Sequence, residues 1–367
     1  MDRFSRQYIL KGFGEEGQQK LLDAKVLVIG AGGLGCPALL YLAAAGVGTI
    51  GIMDGDFVSF SNLNRQVLFG VNHVGTKKAI SATDQLKSKY PDISFHCIPE
   101  FISTQNALDI ISGYDVIIDG SDNFPTRYLV NDACVLLEKP LVFGAIFQNE
   151  GQICVLNARG AASVNYRDLY PDPPSVYEIP NCTETGVLGV LPGIIGTLQA
   201  AETIKFLSGY GQILEDEMLF YNLLNHETYK LQLLPNQEGR KMIPKSMDTF
   251  REMDYALACG SNDSIGWEEA LNQIKNNPDS LLIDVRELNE KPRLEGHKVL
   301  DIPLSEIHIP RPEIIQSEVV FTFCQSGIRS LKAVQILKQS LIGKNIYSIT
   351  GGIASPQAPI NLLTYGN

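Results

Sequence analysis

The chain has 367 residues, 44% of them hydrophobic and 19% charged, a balance that permits two globular domains with sizeable cores. A formal net charge of −11 argues against general nucleic-acid or membrane-surface binding, and no apolar run is long enough to span a membrane. Seven scattered cysteines fit reduced thiols rather than a disulfide framework, and Met1-Asp2-Arg3-Phe4-Ser5-Arg6 lacks the apolar run of a signal peptide, so a cytoplasmic setting is expected.

Lys25 to Ile29 reads as a short buried strand, followed by Gly30-Ala31-Gly32-Gly33-Leu34-Gly35 and a helix from Cys36 to Ala45. A second strand, Thr49 to Met53, completes a βαβ unit. A helix from about Lys77 to Lys89 follows, then strands near Ser94 to Ile98, Val116 to Asp119 and Leu141 to Phe143. This alternation predicts an α/β fold with a mainly parallel, doubly wound, Rossmann-like sheet. After Gly151 come a strand, a Pro-rich irregular segment from Tyr170 to Pro180, an apolar helix from about Leu191 to Leu207 and a hairpin from Leu219 to Leu234.

Residues 236–264 are polar and weakly periodic and read as a linker between a domain of residues 1–235 and a second α/β domain of residues 265–367. There Trp267 to Lys275 is expected as a helix, Leu281 to Val285 and Val319 to Phe323 as strands, and Ser330 to Leu341 as a helix.

The glycines Gly30, Gly32, Gly33 and Gly35 lie between strand and helix, where the backbone approaches phosphates and a helix N-terminus offers free N–H groups. Asp54, at the end of the next strand, can accept hydrogen bonds from ribose hydroxyls. This pattern alone fits NAD and adenosine equally. Further along stand Ser61-Asn62-Leu63-Asn64-Arg65-Gln66, Lys77-Lys78 and Asp119-Gly120-Ser121-Asp122-Asn123-Phe124-Pro125-Thr126-Arg127. Hydride transfer needs no such cluster, whereas attack of a carboxylate on the α-phosphate of ATP needs cations at the phosphates and a carboxylate for Mg²⁺.

On these motifs, with Ser5-Arg6-Gln7, Asp54-x-Asp56 and Val74-Gly75-x-x-Lys78, residues 4–235 resemble the ubiquitin-activating superfamily. The resemblance is specifically to the MoeB/ThiF adenylyltransferases for molybdopterin-synthase and thiamine sulfur carriers. It implies ATP and Mg²⁺ as cofactors, with Asp54 on the ribose and Asn62, Arg65 and Lys78 on the phosphates. Asp122 is implied to act with magnesium, and Asp56, Gln66 and Asn123 to belong to the nucleotide site. Arg6 is implied to reach the phosphates of the neighbouring subunit of a homodimer.

In Pro180-Asn181-Cys182-Thr183, the resemblance makes Cys182 a candidate for a covalent link to the carrier or to sulfur; a packed thiol is the alternative. Cys36, Cys97, Cys134 and Cys154 read as core. Many relatives bind structural zinc through two Cys-x-x-Cys pairs. Those pairs would fall at Asn165-Tyr166-Arg167-Asp168 and within Pro235 to Arg240, where cysteines are absent, so no zinc is expected. This departure puts the stability of the crossover segment in doubt rather than the chemistry.

In the second domain, Phe323-Cys324-Gln325-Ser326-Gly327-Ile328-Arg329-Ser330 reads as strand, anion-cradling loop and helix, with Cys324 as thiolate and Arg329 close by. It resembles a rhodanese active loop, as Asp284-Val285-Arg286-Glu287, Gly296-His297 and Gly351-Gly352-Ile353 resemble the other rhodanese signatures. The stretch Lys298 to Asp301 is shorter than its counterpart in that family. A phosphatase cradle has five residues between Cys and Arg, against four between Cys324 and Arg329. A decayed, structural rhodanese fold is the other alternative.

Together the two halves predict an enzyme that adenylates the C-terminal glycine of a ubiquitin-fold carrier ending in Gly-Gly. A persulfide on Cys324, loaded from a persulfide or thiosulfate donor, would then yield a thiocarboxylate. Two alternatives stay open: activation of a modifier or peptide without sulfur transfer, and an ATP-holding regulatory module without turnover.

Overall fold

Val26, Leu27, Val28 and Ile29 offer no polar face, which suits a strand covered on both sides. In the computed structural model they lie in β1 (Lys25–Ile29), inside an eight-stranded sheet. The structure describes residues 3–171, 186–255 and 264–364, apart from 278, 295–298, 309–310, 326, 342, 356–357 and 360–362. By internal packing the chain divides into two units, with the boundary after Tyr255.

In the first unit β1 is followed by β2 (Thr49–Met53), β3 (Ser94–Ile98), β4 (Val116–Asp119), β5 (Leu141–Phe147), β6 (Glu150–Leu156), β7 (Glu217–Asn222) and β8 (Thr228–Gln232). The order across the sheet is β3-β2-β1-β4-β5-β6-β7-β8, parallel as far as β5 and antiparallel beyond it. The strand order reverses beside β1, so a crevice opens at the C-terminal ends of β1 and β4. Val26, Val28, Ile50, Ile52, Val116 and Ile118 are fully buried against Leu39, Leu42 and Ala43. Truncating one such leucine to Ala costs about 2–5 kcal/mol.

Helix α1 (Gly35–Ala45) leaves the glycine loop and is apolar almost all round, as a helix buried between layers must be. It stops at Gly46, where φ is +91°, and a Cβ at that position would lie 2.5 Å from the Phe4 ring. Helix α2 (Lys78–Lys89) leads into β3, and α3 (Phe124–Leu136) follows β4. Helix α3 is not among the elements expected from the sequence, and its opening Asn123-Phe124-Pro125 is rich in turn-forming residues. Pro125 in fact occupies the first helical turn, where its missing N–H is harmless. Helix α4 (Val190–Ser208) packs along α1 and beneath β5.

Two expectations are corrected. Residues 236–255 are not linker: α5 (Gln237–Lys241) and α6 (Met247–Glu252) pack onto the first unit. Phe250 is fully buried, and the Tyr255 hydroxyl donates to Asp132 at 2.8 Å. Each helix is too short to show periodicity and is anchored by single residues. Cys97 is exposed rather than core, because β3 is the edge strand and buries only Phe95. Cys36, Cys134 and Cys154 are buried.

The positions where the resembling family carries zinc ligands hold an ionic network. Arg167 pairs with fully buried Asp132, Nε to Oδ1 at 2.8 Å and Nη2 to Oδ2 at 2.7 Å. Asp168 accepts the Asn165 and Asn236 backbone N–H groups, at 2.9 and 2.6 Å, and the Arg240 guanidinium. The fit is close: a Cβ on Gly239 would lie 1.9 Å from the Arg167 carbonyl oxygen.

The second unit has a five-stranded parallel sheet. Its strands are β9 (Ser264–Ile265), β10 (Ser280–Asp284), β12 (Val299–Asp301), β13 (Val319–Phe323) and β14 (Asn345–Ile349), in the order β12-β10-β13-β14-β9. A separate antiparallel pair joins β11 (Arg293–Leu294) to β15 (Leu363–Thr364). Helix α7 (Trp267–Asn276) precedes β10, and α8 (Ile328–Ser340) follows β13. Trp267 is fully buried on one side of the sheet and its indole N–H donates to Gly352 O at 2.7 Å.

Candidate active site

A cavity of about 560 Å³ lies at the reversal of strand order in the first unit. The glycine loop forms its floor. Gly30 has φ +94°, and a Cβ there would meet Gly120 O at 2.8 Å; one on Gly35 would meet Gly30 O at 1.8 Å. These two positions exclude any larger residue. Gly32 differs: nothing lies nearer than 3.9 Å to its would-be Cβ, so a side chain would project into the cavity itself. The loop thus leaves backbone exposed at the start of α1, the arrangement that receives phosphates.

Asp54 ties the loop down. Its Oδ2 accepts Ala31 N–H at 2.8 Å and its Oδ1 accepts Asp56 N–H at 2.8 Å. Burial, opposed chiefly by Lys78, raises its carboxyl above the ordinary aspartate value. Lys78 is buried and its Nζ reaches Asp56 at 3.0 Å. Arg65 Nη1 donates to Ser61 O at 3.1 Å and Asn64 Oδ1 at 3.0 Å, at the cavity wall. Gln66 lines the wall too, and its buried Oε1 has no partner among the described residues.

Asp122 and Asn123 close the other side. Asn123 Oδ1 accepts Thr126 N–H at 3.0 Å and so caps α3, turning the positive end of that helix toward the cavity. The carboxylate of Asp122 has no hydrogen-bond partner among the described residues. Two predicted residues stand elsewhere. Asn62 is not part of the lining; its carbonyl instead accepts Arg65 and Gln66 N–H and shapes the turn that presents them. Arg6 is exposed on the short helix Ser5–Tyr8, away from the cavity of its own chain.

The sequence reading gave no role to Arg127, which lines the cavity while lying over Phe143, 5.7 Å from the ring centroid. Behind it, Asp119 accepts Ser121 N–H at 2.9 Å; burial raises its carboxyl, and Arg127 opposes the rise. Only an arginine following a cavity residue by one helical turn, as Arg127 follows Asn123, would have signalled this in the sequence.

In the second unit Cys324 directly follows β13, almost wholly buried, and its Sγ accepts Gly327 N–H at 3.1 Å. Gly327 has φ +97°, which turns its N–H inward. The Arg329 guanidinium, expected beside the thiol, is gripped by Glu290 through Nη1 to Oε1 at 2.5 Å and Nη2 to Oε2 at 2.8 Å. Asp284 and Arg286 form a fully buried pair at 2.7 Å that Arg293 joins, bracing the turn after β10. Cys182 and the Gly296-His297 pair lie outside the described residues. Among the described residues no three His, Cys, Asp or Glu side chains cluster as a metal site, and no helix is long and apolar enough to cross a membrane.

Comparison with known proteins places this geometry. The ThiF family model matches residues 4–241. A protein of Thermus thermophilus named sulfur carrier protein adenylyltransferase is 46% identical over 71% of this chain and 97% of its own length. The probable adenylyltransferase/sulfurtransferase MoeZ of Mycobacterium tuberculosis is 38% identical over 96% of this chain and 92% of its own length. Among solved structures, E. coli MccB with MccA-N7isoASN superposes with a TM-score of 0.56 at 21% identity, covering 64% of this chain and 72% of that one, a likeness of fold.

Proposed function

The chain belongs to the ThiF family, and on that premise we propose that it is an ATP-dependent sulfur-carrier adenylyltransferase joined to a rhodanese-type sulfurtransferase. One observation carries the reading: a single chain holds both a glycine-floored cavity with acidic and basic walls and a buried thiol held by a backbone N–H.

The Gly32 and Gly33 backbone and the start of α1 would take the phosphates, and Asp54 the ribose. Arg65, Gln66 and Lys78 would add donors and charge, with Lys78 exchanging Asp56 for phosphate. Asn62 and Asn123 act by holding those walls in place. Magnesium fits beside Asp122, where it would neutralise charge at the α-phosphate. Arg6, exposed and outside its own cavity, suits the trans role in a homodimer. The setting is cytoplasmic.

The terminal carboxylate of a ubiquitin-fold carrier ending in Gly-Gly attacks the α-phosphorus. The bond to pyrophosphate breaks and an acyl adenylate forms. The outer sulfur of a Cys324 persulfide then attacks the acyl carbonyl and AMP leaves, which joins carrier to Cys324 through a disulfide. A second thiol, the role assigned to Cys182, attacks the Cys324 sulfur. The carrier thiocarboxylate departs, and a thiol reductant reduces the resulting Cys182–Cys324 disulfide to the two free thiols, being itself oxidised to a disulfide.

Intact mass of a Gly-Gly carrier after incubation with enzyme, ATP, thiosulfate and a thiol reductant tests this. An oxygen-for-sulfur gain that needs both ATP and Cys324 is expected. Pyrophosphate release without any mass gain from a competent carrier would leave adenylation standing and remove the sulfur half.

A further inference from the structure

Two serine hydroxyls stand behind the reactive thiol, and both are buried: Ser330 in the first turn of α8 and Ser348 on β14. Ser330 Oγ lies 2.8 Å from Ser348 Oγ, 3.0 Å from Gly327 O and 3.6 Å from Cys324 Sγ. Ser348 Oγ lies 3.5 Å from the same carbonyl. Each hydroxyl carries one hydrogen. The shortest contacts are satisfied together when Ser348 donates to Ser330 and Ser330 donates to Gly327 O. That leaves the Ser330 hydrogen with a choice of two acceptors, the carbonyl and the sulfur. Gly327 O also accepts Leu331 N–H at 3.2 Å, so it is not orphaned when Ser330 turns away. Thr322 Oγ1 donates to Ser330 O at 2.9 Å and fixes the backbone from which the hydroxyl swings.

We propose that Ser330 is a catalytic residue of the thiol loop, whose hydroxyl turns from Gly327 O to Cys324 Sγ whenever that sulfur is anionic, and that Ser348 is the positioning residue that orients it. The proposal rests on the sulfur-transfer reading. In loading, the Cys324 thiolate attacks the outer sulfur of thiosulfate; a new S–S bond forms, the old one breaks and sulfite leaves. In unloading to a nucleophile such as cyanide, a C–S bond forms at the outer sulfur. The S–S bond breaks and its electron pair returns to Sγ. In both steps Sγ is anionic at one end, and among the described residues Gly327 N–H and Ser330 O–H are the donors that reach it. A charge-assisted bond to sulfur outcompetes the neutral one to the carbonyl.

The test uses the full-length enzyme, with thiosulfate:cyanide turnover beside the pH profile of Cys324 alkylation by iodoacetamide, read by peptide mass. Ser330→Ala should slow alkylation about tenfold on the acid side of the profile and lower kcat by a similar factor, with KM for thiosulfate little changed. Ser348→Ala should fall between, and Ser330→Thr, which keeps the hydroxyl, should restore the profile. A Ser330→Ala profile that superposes on wild type overturns the proposal. If that variant lacks a cooperative thermal transition, Ser348→Ala decides by the same criterion. Absence of thiocyanate from the wild-type enzyme would instead remove the sulfur-transfer reading, and the alkylation profiles would still judge Ser330.

Discussion

Arg329 and Glu290 face each other fork to fork, and the Glu290 carboxylate also accepts the Glu287 N–H at 2.8 Å. The arginine of the thiol loop is therefore held by an acid from the turn after β10. The grip, chiefly the hydrogen bonds from Arg329, brings the Glu290 carboxyl down to about 2 from an ordinary 4.5.

An acid whose folded value is depressed stabilises the fold fully above its unfolded value and loses that contribution as pH falls toward the folded one. The window here runs from about 4.5 down to about 2. Both side chains are about one-third exposed, so solvent screening reduces the effect to about 1 kcal/mol. Glu290→Gln should thus lower thermal stability modestly at neutral pH and leave it unchanged near pH 2. Acid titration of the melting temperature checks this; equal loss at both ends would show that the pair is not the cause.

Asp122→Ala should reduce carrier-dependent ATP–pyrophosphate exchange about a hundredfold or more while the melting temperature stays near wild type. Asp122 lines the cavity and supports no other structure through a hydrogen bond among the described residues. Near-normal exchange by the folded variant would remove Asp122 from the magnesium role.

Arg6 should act across subunits. Arg6→Ala and Asp122→Ala homodimers each lack a complete site, whereas a mixed dimer contains one. Exchange should recover partly when the two variants are mixed under conditions of proven subunit exchange. No recovery would count against a shared site.

Arg240→Ala should destabilise the first unit by about 3 kcal/mol, because it leaves the fully buried Asp168 carboxylate without its cation. EDTA should not move the melting temperature of the wild-type chain. Urea unfolding with and without chelator separates the two claims, and a chelator-sensitive midpoint would point to a metal clamp after all.

Much of the first unit was legible because its signals are local. Gly30, Gly32, Gly33 and Gly35 sit at fixed offsets after a strand whose last four residues are apolar, and Asp54 directly follows the next one. The α3 helix was not, since its opening Phe124-Pro125 mimics a turn until Asn123 is seen to cap it. What joins Asp132 to Arg167 and Tyr255, Asp168 to Arg240, or Glu290 to Arg329 was beyond reach. These partners are distant in the chain and meet only once the sheets are assembled. Arg127 belongs with them: its place over Phe143 depends on α3 and β5 lying side by side.

Arg167, Asp168 and Arg240 lie within the two stretches where the resemblance would place zinc thiolates, and Asp132 completes their network. Thiolate ligands would be further nucleophiles in an enzyme that handles activated sulfur, open to persulfidation and oxidation at each turnover. Carboxylates and guanidinium groups do not react with sulfane sulfur. Among the described residues of the first unit, the remaining cysteines are buried except Cys97. Salt bridges between carboxylates and guanidinium groups thus hold this part of the fold, with no thiolate taking part among the described residues.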